Sequence, residues 1–466
     1  MFTFPTLTPI TQNTFTISAF EGMSRKVGAG EKTLYNTKNM SMGGLPVLST
    51  RLGRKKLFTP QKGEKITGIF GFDKAYMTTS YGGKTRLYYG NDFSSLSRIF
   101  TSEDGELVTS MLCIYDNKVC LFNLNIGLEA QTLMVSSITS IDFPTRYVAP
   151  TFNDVTVYAG RVIGCVRKQL RACAYDDIGD WDIYAEREDP TLGPYYKTFE
   201  TKSEFTACTN YKNRAIFFTA DEMYELYGND PTQFKLVKVA DVGCVNRFAL
   251  GEVDGALYFV SKEGVMRYNG TVPVMISDDI CNIPKAQNQA YSAALGGSGR
   301  TVYVRFEGER ENSLYSYNTE TKLWAREDDI PAIEVVNYCG NSFLATEDGL
   351  WELEKDYFED SENNDGAHFA WELETQQIHH YCPTKKRSSR LEFYIRQKTP
   401  QRVDVYVSYD GCKYKLVRTV LNAKNSAVCV PLERLEFESI QFKFCGSGQA
   451  QIHYITNSFS LGGRVI

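Results

Sequence analysis

The sequence is poor in the residues and runs that mark metal-binding, membrane-spanning and helical proteins. Its 466 residues include only four histidines, and its 12 cysteines form no C-x-x-C pair. No stretch approaches the roughly 18 apolar residues of a transmembrane helix, and no window carries a sustained helical stripe. The N-terminal stretch lacks the basic flank and apolar core of a secretory signal. We therefore interpret the cysteines as free, mostly buried thiols of a protein made in a reducing cytoplasm.

Basic residues are not in excess either. The 51 Lys and Arg residues against 56 Asp and Glu give a net charge of −5, whereas dedicated nucleic-acid binders usually carry a basic surplus. The chain also lacks a phosphate-binding loop, a nucleophile elbow, an H-E-x-x-H motif and a dinucleotide fingerprint. We therefore expect no catalytic, cofactor-binding or metal-binding residues, and a protein that is not an enzyme.

Three small polar groups suggest sites but fit structural roles better. They are His379, His380 and Cys382; the acidic loop 360–366; and Asp176, Asp177 and Asp180 before Trp181. Adjacent strand residues point to opposite faces, so the two histidines can hardly share one metal. The acidic loop departs from the calcium-loop spacing. The three aspartates are interpreted as a turn that positions the tryptophan.

A repeated hairpin is the strongest positive signal. The segments FFTADEMYEL from Phe217, FVSKEGVMRY from Phe259 and LATEDGLWEL from Leu344 align without gaps, each a polar turn between apolar strands. Four further segments share the pattern. The second-strand anchors of all seven are Leu87, Val119, Leu170, Met223, Val265, Leu314 and Leu350. Their mean spacing of about 44 residues is typical of propeller blades. The sequence therefore predicts an all-β fold with a propeller of about seven blades, six or eight being possible.

The rest of the chain divides around this propeller, which we place at residues 58–358. Residues 1–57 form an extended N-terminal arm with too few apolar positions for a core of its own. We expect it to lie on the propeller, to bind a partner or to remain mobile. Residues 359–368 are an acidic linker. Six or more alternating strands in residues 369–466 predict a C-terminal β-sandwich.

One basic cluster closes the arm and has two interpretations. It comprises Arg51, Arg54, Lys55 and Lys56. It is a candidate assembly surface or DNA-proximal surface, or simply a solvated entry to the first propeller strand, which we favour.

Short motifs in the arm, the centre and the C-terminal part of the chain form a recognisable combination. In the arm, the positions are Phe20, Gly22, Asn39, Met40, Pro46, Leu48, Ser49 and Arg51. In the centre, they are Arg161, Gly164 and Trp181, followed by Gly264, Val265, Tyr268 and Gly270. With these positions, the arm and the middle of the chain resemble structural proteins encoded by phages and prophages of Gram-positive bacteria. The segments VSYDG and FCGSGQAQIHYI are similar to the terminal sandwich of such proteins.

This resemblance implies a bacteriophage tail protein of the β-propeller nozzle or packaged-DNA stabilisation type. Such a protein is a virion component made in the host bacterial cytoplasm. It would form a ring with copies of itself, commonly a hexamer, around the DNA exit channel. Its other partners would be portal, adaptor or tail proteins, with transient non-specific contact to genomic DNA. Its role would be assembly and gating of DNA ejection rather than catalysis, and no cofactor is implied.

Other functions remain open on the sequence alone. The first alternative is a carbohydrate-binding propeller that recognises a receptor, because propellers and small sandwiches bind glycans through exposed aromatic side chains and Tyr and Trp are plentiful here. The second is a propeller glycosidase with carboxylates drawn from separate blades. A Kelch-like scaffold, suggested by LYSYNTETKLW from Leu314, comes last because the double-glycine repeat is missing.

Overall fold

The chain is built almost wholly of β-strands. The computed structural model describes residues 12–26, 28–102, 110–123, 130–138, 140–280, 293–307, 312–355, 369–398, 401–421 and 423–461. Within these ranges, the only helices are two 3-10 turns, at Arg247–Ala249 and Asp278–Ile280. The prediction of an all-β fold is confirmed. The predicted acidic linker, residues 359–368, lies outside the described residues.

Five short strands precede the first blade. They are β1 (Asn13–Ile17), β2 (Leu34–Lys38), β3 (Met40–Ser41), β4 (Leu48–Thr50) and β5 (Gly53–Phe58).

Seven four-stranded antiparallel sheets then follow one another as propeller blades. Blade 1 contains β6 (Glu64–Gly71), β7 (Ala75–Tyr81), β8 (Lys84–Gly90) and β9 (Ser97–Thr101). Blade 2 contains β10 (Ser110–Tyr115), β11 (Lys118–Asn123), β12 (Ala130–Ser137) and β13 (Ser140–Pro150). Blade 3 contains β14 (Asp154–Tyr158), β15 (Arg161–Val166), β16 (Gln169–Ala172) and β17 (Tyr195–Thr198). Blade 4 contains β18 (Phe205–Tyr211), β19 (Arg214–Thr219), β20 (Met223–Tyr227) and β21 (Lys235–Ala240). Blade 5 contains β22 (Leu250–Val253), β23 (Ala256–Val260), β24 (Val265–Tyr268) and β25 (Val274–Met275). Blade 6 contains β26 (Ala293–Ser298), β27 (Thr301–Glu307), β28 (Asn312–Asn318) and β29 (Trp324–Arg326). Blade 7 contains β30 (Glu334–Tyr338), β31 (Asn341–Thr346) and β32 (Gly349–Lys355), with β5 as its fourth strand.

The propeller is closed by the strand that enters it. Strand β5 pairs antiparallel with β32, with Phe58 opposite Leu350 and Lys56 opposite Trp351. The last blade is therefore completed by residues that come before the first blade. Pairing the two ends of the propeller leaves no blade with a missing strand, which is how radial β-folds protect their edges.

Neighbouring blades are joined by tyrosines at the ends of inner strands. Tyr115 donates its hydroxyl to the Gly160 carbonyl of the next blade at 2.7 Å. Tyr211 repeats this contact to Gly255 at 2.7 Å. Each tyrosine immediately precedes a two-residue turn whose residues have positive φ, such as Lys212 at 51°. Turns of this kind match the twist of the strands they join. The turn therefore fixes the hydroxyl where the next blade can accept it.

The predicted blade count is confirmed, but one anchor lies on the wrong strand. Six of the seven anchors lie on the third strand of their blades, whereas Val119 lies on β11, the second strand of blade 2. The first hairpin of blade 2 turns through Asp116 and Asn117, both with positive φ. It therefore has the same apolar–turn–apolar pattern that marks the second hairpin elsewhere.

The sandwich follows the propeller and has two sheets. Its own strands are β33 (Ala370–Thr375), β34 (Lys386–Gln397), β35 (Val403–Tyr409), β36 (Lys415–Val420), β37 (Asn425–Pro431), β38 (Glu436–Phe437), β39 (Ile440–Ser447) and β40 (Ala450–Leu461). Strands β34, β37, β38 and β40 form one sheet together with β1, β3 and β4; β33, β35, β36 and β39 form the other together with β2. Between the sheets, Phe393 packs edge-on against Phe444 with ring centroids 5.0 Å apart.

Residues 1–57 are predicted to form an extended arm that lies on the propeller, binds a partner or remains mobile, and this is wrong for β1 to β4, which belong to the two sheets of the sandwich. Phe15, Ile17, Leu34 and Met40 are all buried in the sandwich core. The segment has too few apolar residues for an independent domain, but each short strand needs only one buried face because the rest of its sheet is supplied by the sandwich. Residue 57 is therefore not a domain boundary: β1 to β4 belong to the sandwich and β5 to the propeller.

Inner strands approach closely where glycine removes a side chain. A Cβ built on Gly296 in β26 would lie 1.9 Å from the carbonyl oxygen of Val335 in β30 of the next blade. We therefore expect Gly296→Ala to push blades 6 and 7 apart and to lower the free energy of unfolding by about 1–3 kcal/mol or more. Urea denaturation measures this loss.

The matched control is Gly30→Ala, where the nearest atom to an added Cβ is a flexible Glu21 carboxylate oxygen at 3.6 Å. We expect this variant to stay within about 0.5 kcal/mol of the parent. Equal stability of the two variants would contradict the close packing of the inner strands.

Candidate functional site

The junction between propeller and sandwich is built by the N-terminal segment. Phe20 is buried in the sandwich core. Gly22 then passes blade 6 with φ of +77°, and a Cβ there would lie 2.9 Å from Cβ of Leu323. Met23 donates its backbone N–H to the Trp324 carbonyl at 2.9 Å. Residues 22 and 23 therefore run along the outermost strand of blade 6, while the strands before and after them, β1 and β2, pair with the sandwich.

Asn39 is bonded to both domains. Its backbone N–H donates to the Glu327 carbonyl, just beyond blade 6, at 2.5 Å. Its side-chain Nδ2 donates to the Ala370 carbonyl of the sandwich at 2.8 Å, and its Oδ1 accepts from Arg51 Nε at 2.7 Å. Its φ is +56°, a conformation that asparagine tolerates better than most residues. Asn39 thus holds the propeller, the sandwich and Arg51 together.

Two residues of the predicted basic cluster are not on the surface. Arg51 and Arg54 are only 4% and 3% exposed. Arg54 pairs with Glu327 at 3.2 Å and with Asp328 at 2.5 Å, and Arg51 pairs with the same two carboxylates at 3.5 and 3.7 Å. The prediction of an assembly or DNA-proximal surface is therefore wrong for both arginines, because their charges are neutralised inside the protein.

The two lysines of the cluster lie nearer the solvent. Lys55 is exposed. The Lys56 ammonium lies over the Trp351 ring, 5.0 Å from its centroid. Alternation along strand β5 turns Arg54 inward and Lys55 outward, whereas Arg51 precedes the strand.

Burial raises and the nearby arginines lower the pKa values of the two carboxylates at the junction, Glu327 and Asp328. Burial raises the pKa of Glu327 above its ordinary value despite Arg54 and Arg51 nearby. Burial also opposes ionisation of Asp328, but Arg54 and Arg51 outweigh it and hold the pKa of that carboxyl below its usual range. A buried group of this kind is stable only while every member has its partner.

A second assembly of predicted residues forms on blade 3, in the connection between β16 and β17. Asp177 Oδ1 accepts the Gly179 backbone N–H at 2.9 Å, and Trp181 Nε1 donates to the Ile178 carbonyl at 2.7 Å. The interpretation of the aspartates as a turn that positions Trp181 is confirmed for Asp177.

Arg161 and Gly164 support the same connection from strand β15. Arg161 is 1% exposed, and its Nη2 donates to the Thr191 carbonyl at 2.5 Å. A Cβ on Gly164 would lie 2.3 Å from the Phe152 ring, which in turn packs 5.5 Å from the Trp181 ring, centroid to centroid. The three positions singled out in this part of the sequence therefore act together to fix the shape of the connection.

The connection and the strands beside it enclose a cleft of about 310 Å³ on the outer part of blade 3. Its walls include Arg171, Trp181, Asp182, Tyr184 and Tyr196. Tyr184 is 88% exposed, so most of its ring faces solvent. Sequence reasoning identified Trp181 but missed the other walls, because tyrosines are frequent throughout this chain.

The remaining resemblance positions have structural roles elsewhere. Tyr268 is buried and donates its hydroxyl to the carboxylate of Glu225 in the preceding blade. Gly264 leaves room for the Ser277 hydroxyl, which would lie 2.4 Å from an added Cβ, and Gly270 has φ of +107°. Pro46 lies in the turn between β3 and β4, after a cis peptide bond.

Charged residues also lie at the starts of inner strands, where Asp154 begins β14 and Glu334 begins β30. Asp154 accepts the Cys208 N–H of the next blade at 2.7 Å, and Glu334 accepts the Ile69 N–H of blade 1 at 2.7 Å. Burial raises the pKa of each carboxyl to about 7, against the attraction of Arg247. These residues come from different blades, so no sequence motif joined them. Their bonds tie neighbouring blades.

The H-H-x-C group does not come together as one site. His379 is exposed, whereas His380 is buried with Nε2 2.8 Å from Asn457 Oδ1 and its ring 4.0 Å from that of Phe459. The Cys382 thiol contacts the Thr384 hydroxyl. Within the described ranges, no three His, Cys, Asp or Glu residues are grouped to hold a metal ion. The acidic loop 360–366 lies outside those ranges.

The cysteines are unpaired wherever the structure describes them. Six of these eleven residues are buried, as expected: Cys113, Cys120, Cys165, Cys173, Cys208 and Cys244. Cys339, Cys412 and Cys429 are exposed. In the described part of the chain, no helix has the length and apolar character needed to cross a membrane.

Comparison with known proteins adds likeness of fold only. No family model matches the sequence, and no curated protein matches it. Virginiamycin B lyase from Staphylococcus aureus is 12% identical over 66% of this chain and 99% of its own, with a TM-score of 0.44. The extracellular domain of a hybrid two-component system from B. thetaiotaomicron is 10% identical over 81% of this chain and 47% of its own, with a TM-score of 0.42. No activity or partner follows from such distant similarity.

The junction makes a direct prediction about stability. Arg54→Ala leaves Glu327 and Asp328 buried with Arg51 as the remaining arginine of the cluster. We expect the free energy of unfolding to fall by about 3–5 kcal/mol, the usual cost of breaking a buried ion pair. Lys55→Ala, at the next and exposed position of the same strand, should change it by less than about 0.5 kcal/mol. Denaturant titration that gave both variants the same stability would show that the buried pairs contribute nothing.

His380 makes a prediction about pH. Burial lowers the pKa of His380 from 6.5 to about 4, so the folded protein keeps this ring neutral while the unfolded chain protonates it. Stability from this group is therefore present above pH 6.5 and is lost as the pH falls towards 4. We expect His380→Gln to remove that loss, which amounts to roughly 3 kcal/mol.

The measurement is the free energy of unfolding of the parent and the variant between pH 7.5 and 4. Other titrating groups cancel in the difference between the two proteins. His379→Gln is the control, because that neighbouring side chain is exposed. A parent-minus-variant difference that stayed constant with pH would contradict the buried neutral imidazole.

Proposed function

We propose that this chain is a non-enzymatic structural protein of a bacteriophage tail, one subunit of a ring around the DNA exit channel. The observation that carries the proposal is the convergence of resemblance positions on the junction. Phe20, Gly22, Asn39 and Arg51 all lie where the propeller meets the sandwich. Four of the positions that carry the resemblance to phage structural proteins are thus found where the two domains are joined.

A single stiff subunit suits this role. Strands β1 to β4 belong to the sandwich and β5 to blade 7, so the same short segment crosses the junction and is paired on both sides. The buried arginines lie at that crossing. A tail subunit has to keep its shape while DNA passes, and domains joined by paired strands and buried charges resist hinge motion better than domains joined by a flexible linker.

The charge of the chain fits transient rather than lasting contact with DNA. The net charge is −5, and two arginines of the one basic cluster in the N-terminal segment are neutralised inside the protein. Because each phosphate contact adds to DNA binding, a subunit with few such contacts lets DNA slide.

Three of the carboxylates described above have structural contacts, which fits a role without catalysis. Asp177 caps a turn, while Asp154 and Glu334 accept backbone N–H groups from neighbouring blades. Each is engaged in holding the fold. The proposed partners are other copies of this chain and neighbouring portal, adaptor or tail proteins in the virion.

Ring formation is the test. We expect the purified chain to form closed rings of several copies, alone or after addition of phage heads that carry a portal. Light scattering gives the mass, and negative-stain class averages give the symmetry. Heads that lack the portal are the matched control and should bind no rings. A monomer at all concentrations that also ignores portal-bearing heads would overturn the proposal.

A further inference from the structure

The cleft on blade 3 has features that a ring subunit does not need. It is open to solvent, it is walled by aromatic rings, and it is built by a long connection rather than by the repeating blade framework. We propose that this cleft binds carbohydrate, with a neutral pyranose ring lying against Tyr184 and Trp181. This inference goes beyond the proposed tail role and does not depend on it.

The size and walls of the cleft fit a sugar. Its volume of about 310 Å³ lies at the lower end of small-molecule sites, which combine apolar walls with a few polar groups. Tyrosine and tryptophan offer a flat apolar face beside a polar atom. A pyranose presents the complementary surface, with C–H groups on its faces and hydroxyls around its edge.

The polar groups of the cleft are positioned before any ligand binds. Arg171 is held by Gln169 Oε1, which accepts from its Nη2 at 2.9 Å, and its guanidinium lies 5.0 Å from the Tyr196 ring centroid. Asp182 Oδ1 accepts the Tyr184 backbone N–H at 2.9 Å. Within the described residues, Arg171 Nη1 and Asp182 Oδ2 have no hydrogen bond. One donor and one acceptor of the cleft are therefore left for ligand hydroxyls.

The charge of the cleft selects neutral sugars over phosphate groups. Arg171 supplies one positive charge and Asp182 one negative charge, so the walls carry no net charge. A phosphate-bearing ligand would gain from the arginine but would meet the aspartate. A neutral hexose or N-acetylhexosamine carries no charge for the aspartate to repel.

Binding is tested with defined oligosaccharides on the full chain. The probes are maltotetraose, a galactose tetrasaccharide and an N-acetylglucosamine tetrasaccharide, with glycerol phosphate oligomers as the charged comparison. The chain has four tryptophans. Isothermal titration gives the affinity, and a tryptophan fluorescence change that Trp181→Phe abolishes reports that the ligand reaches this cleft. We expect at least one neutral probe to bind and to change the fluorescence.

Two variants locate the site. Tyr184→Ala removes an 88% exposed ring, so the fold should survive, and we expect the affinity to fall by roughly tenfold. Asp182→Asn should weaken binding while leaving the cleft shape intact. The control is Tyr381→Ala, which removes a 73% exposed tyrosine of the sandwich and should leave binding unchanged.

The outcomes separate this inference from the tail proposal, because ring formation is measured independently on the same variants. Neutral-sugar binding that Tyr184→Ala weakens and Tyr381→Ala does not would support the inference, whether or not rings form. No binding to any neutral probe, binding of the charged oligomers alone, or binding that neither cleft variant alters would overturn it.

Discussion

The buried ion pairs of Arg51 and Arg54 with Glu327 and Asp328 are the interaction on which the architecture depends. They lie where the chain leaves the sandwich and enters strand β5, which closes the propeller. Removing charges from water is costly, and these are stable only with each partner in place. The cluster therefore fixes the position of β5 and of the sandwich at once. The closed ring of blades and the shared N-terminal strands both follow from that placement.

The connection between β16 and β17 of blade 3 likewise depends on a few residues. Arg161, Gly164 and Trp181 are each needed to shape one connection, and that connection forms the aromatic cleft. The propeller framework itself is repetitive, since tyrosine hydroxyls and two-residue turns recur between blades. Departures from the repeat, here a long connection with exposed rings, are where a binding function can be added without disturbing the framework.

Much of the fold could be predicted from the sequence because its units are local. A hairpin is encoded by its turn and by alternation over about ten residues, so the all-β class, the seven blades and the terminal sandwich were all recognisable. Val119 was placed on the wrong strand because two hairpins of a blade can share one pattern. The pairing of β1, β2, β4 and β5 with later strands could not be predicted, since those partners lie about 290 or more residues away. The acidic partners of Arg51 and Arg54 could not be recognised for the same reason. Without them, the basic residues suggested a surface cluster.

The propeller and the sandwich should behave as one cooperative body, because the N-terminal segment is paired with both. Calorimetry of the full chain tests this most directly, since domains that share strands and buried charges should melt together. We expect a single transition whose calorimetric enthalpy equals its van't Hoff enthalpy. Two transitions at well-separated temperatures, each with the enthalpy of one domain, would contradict it.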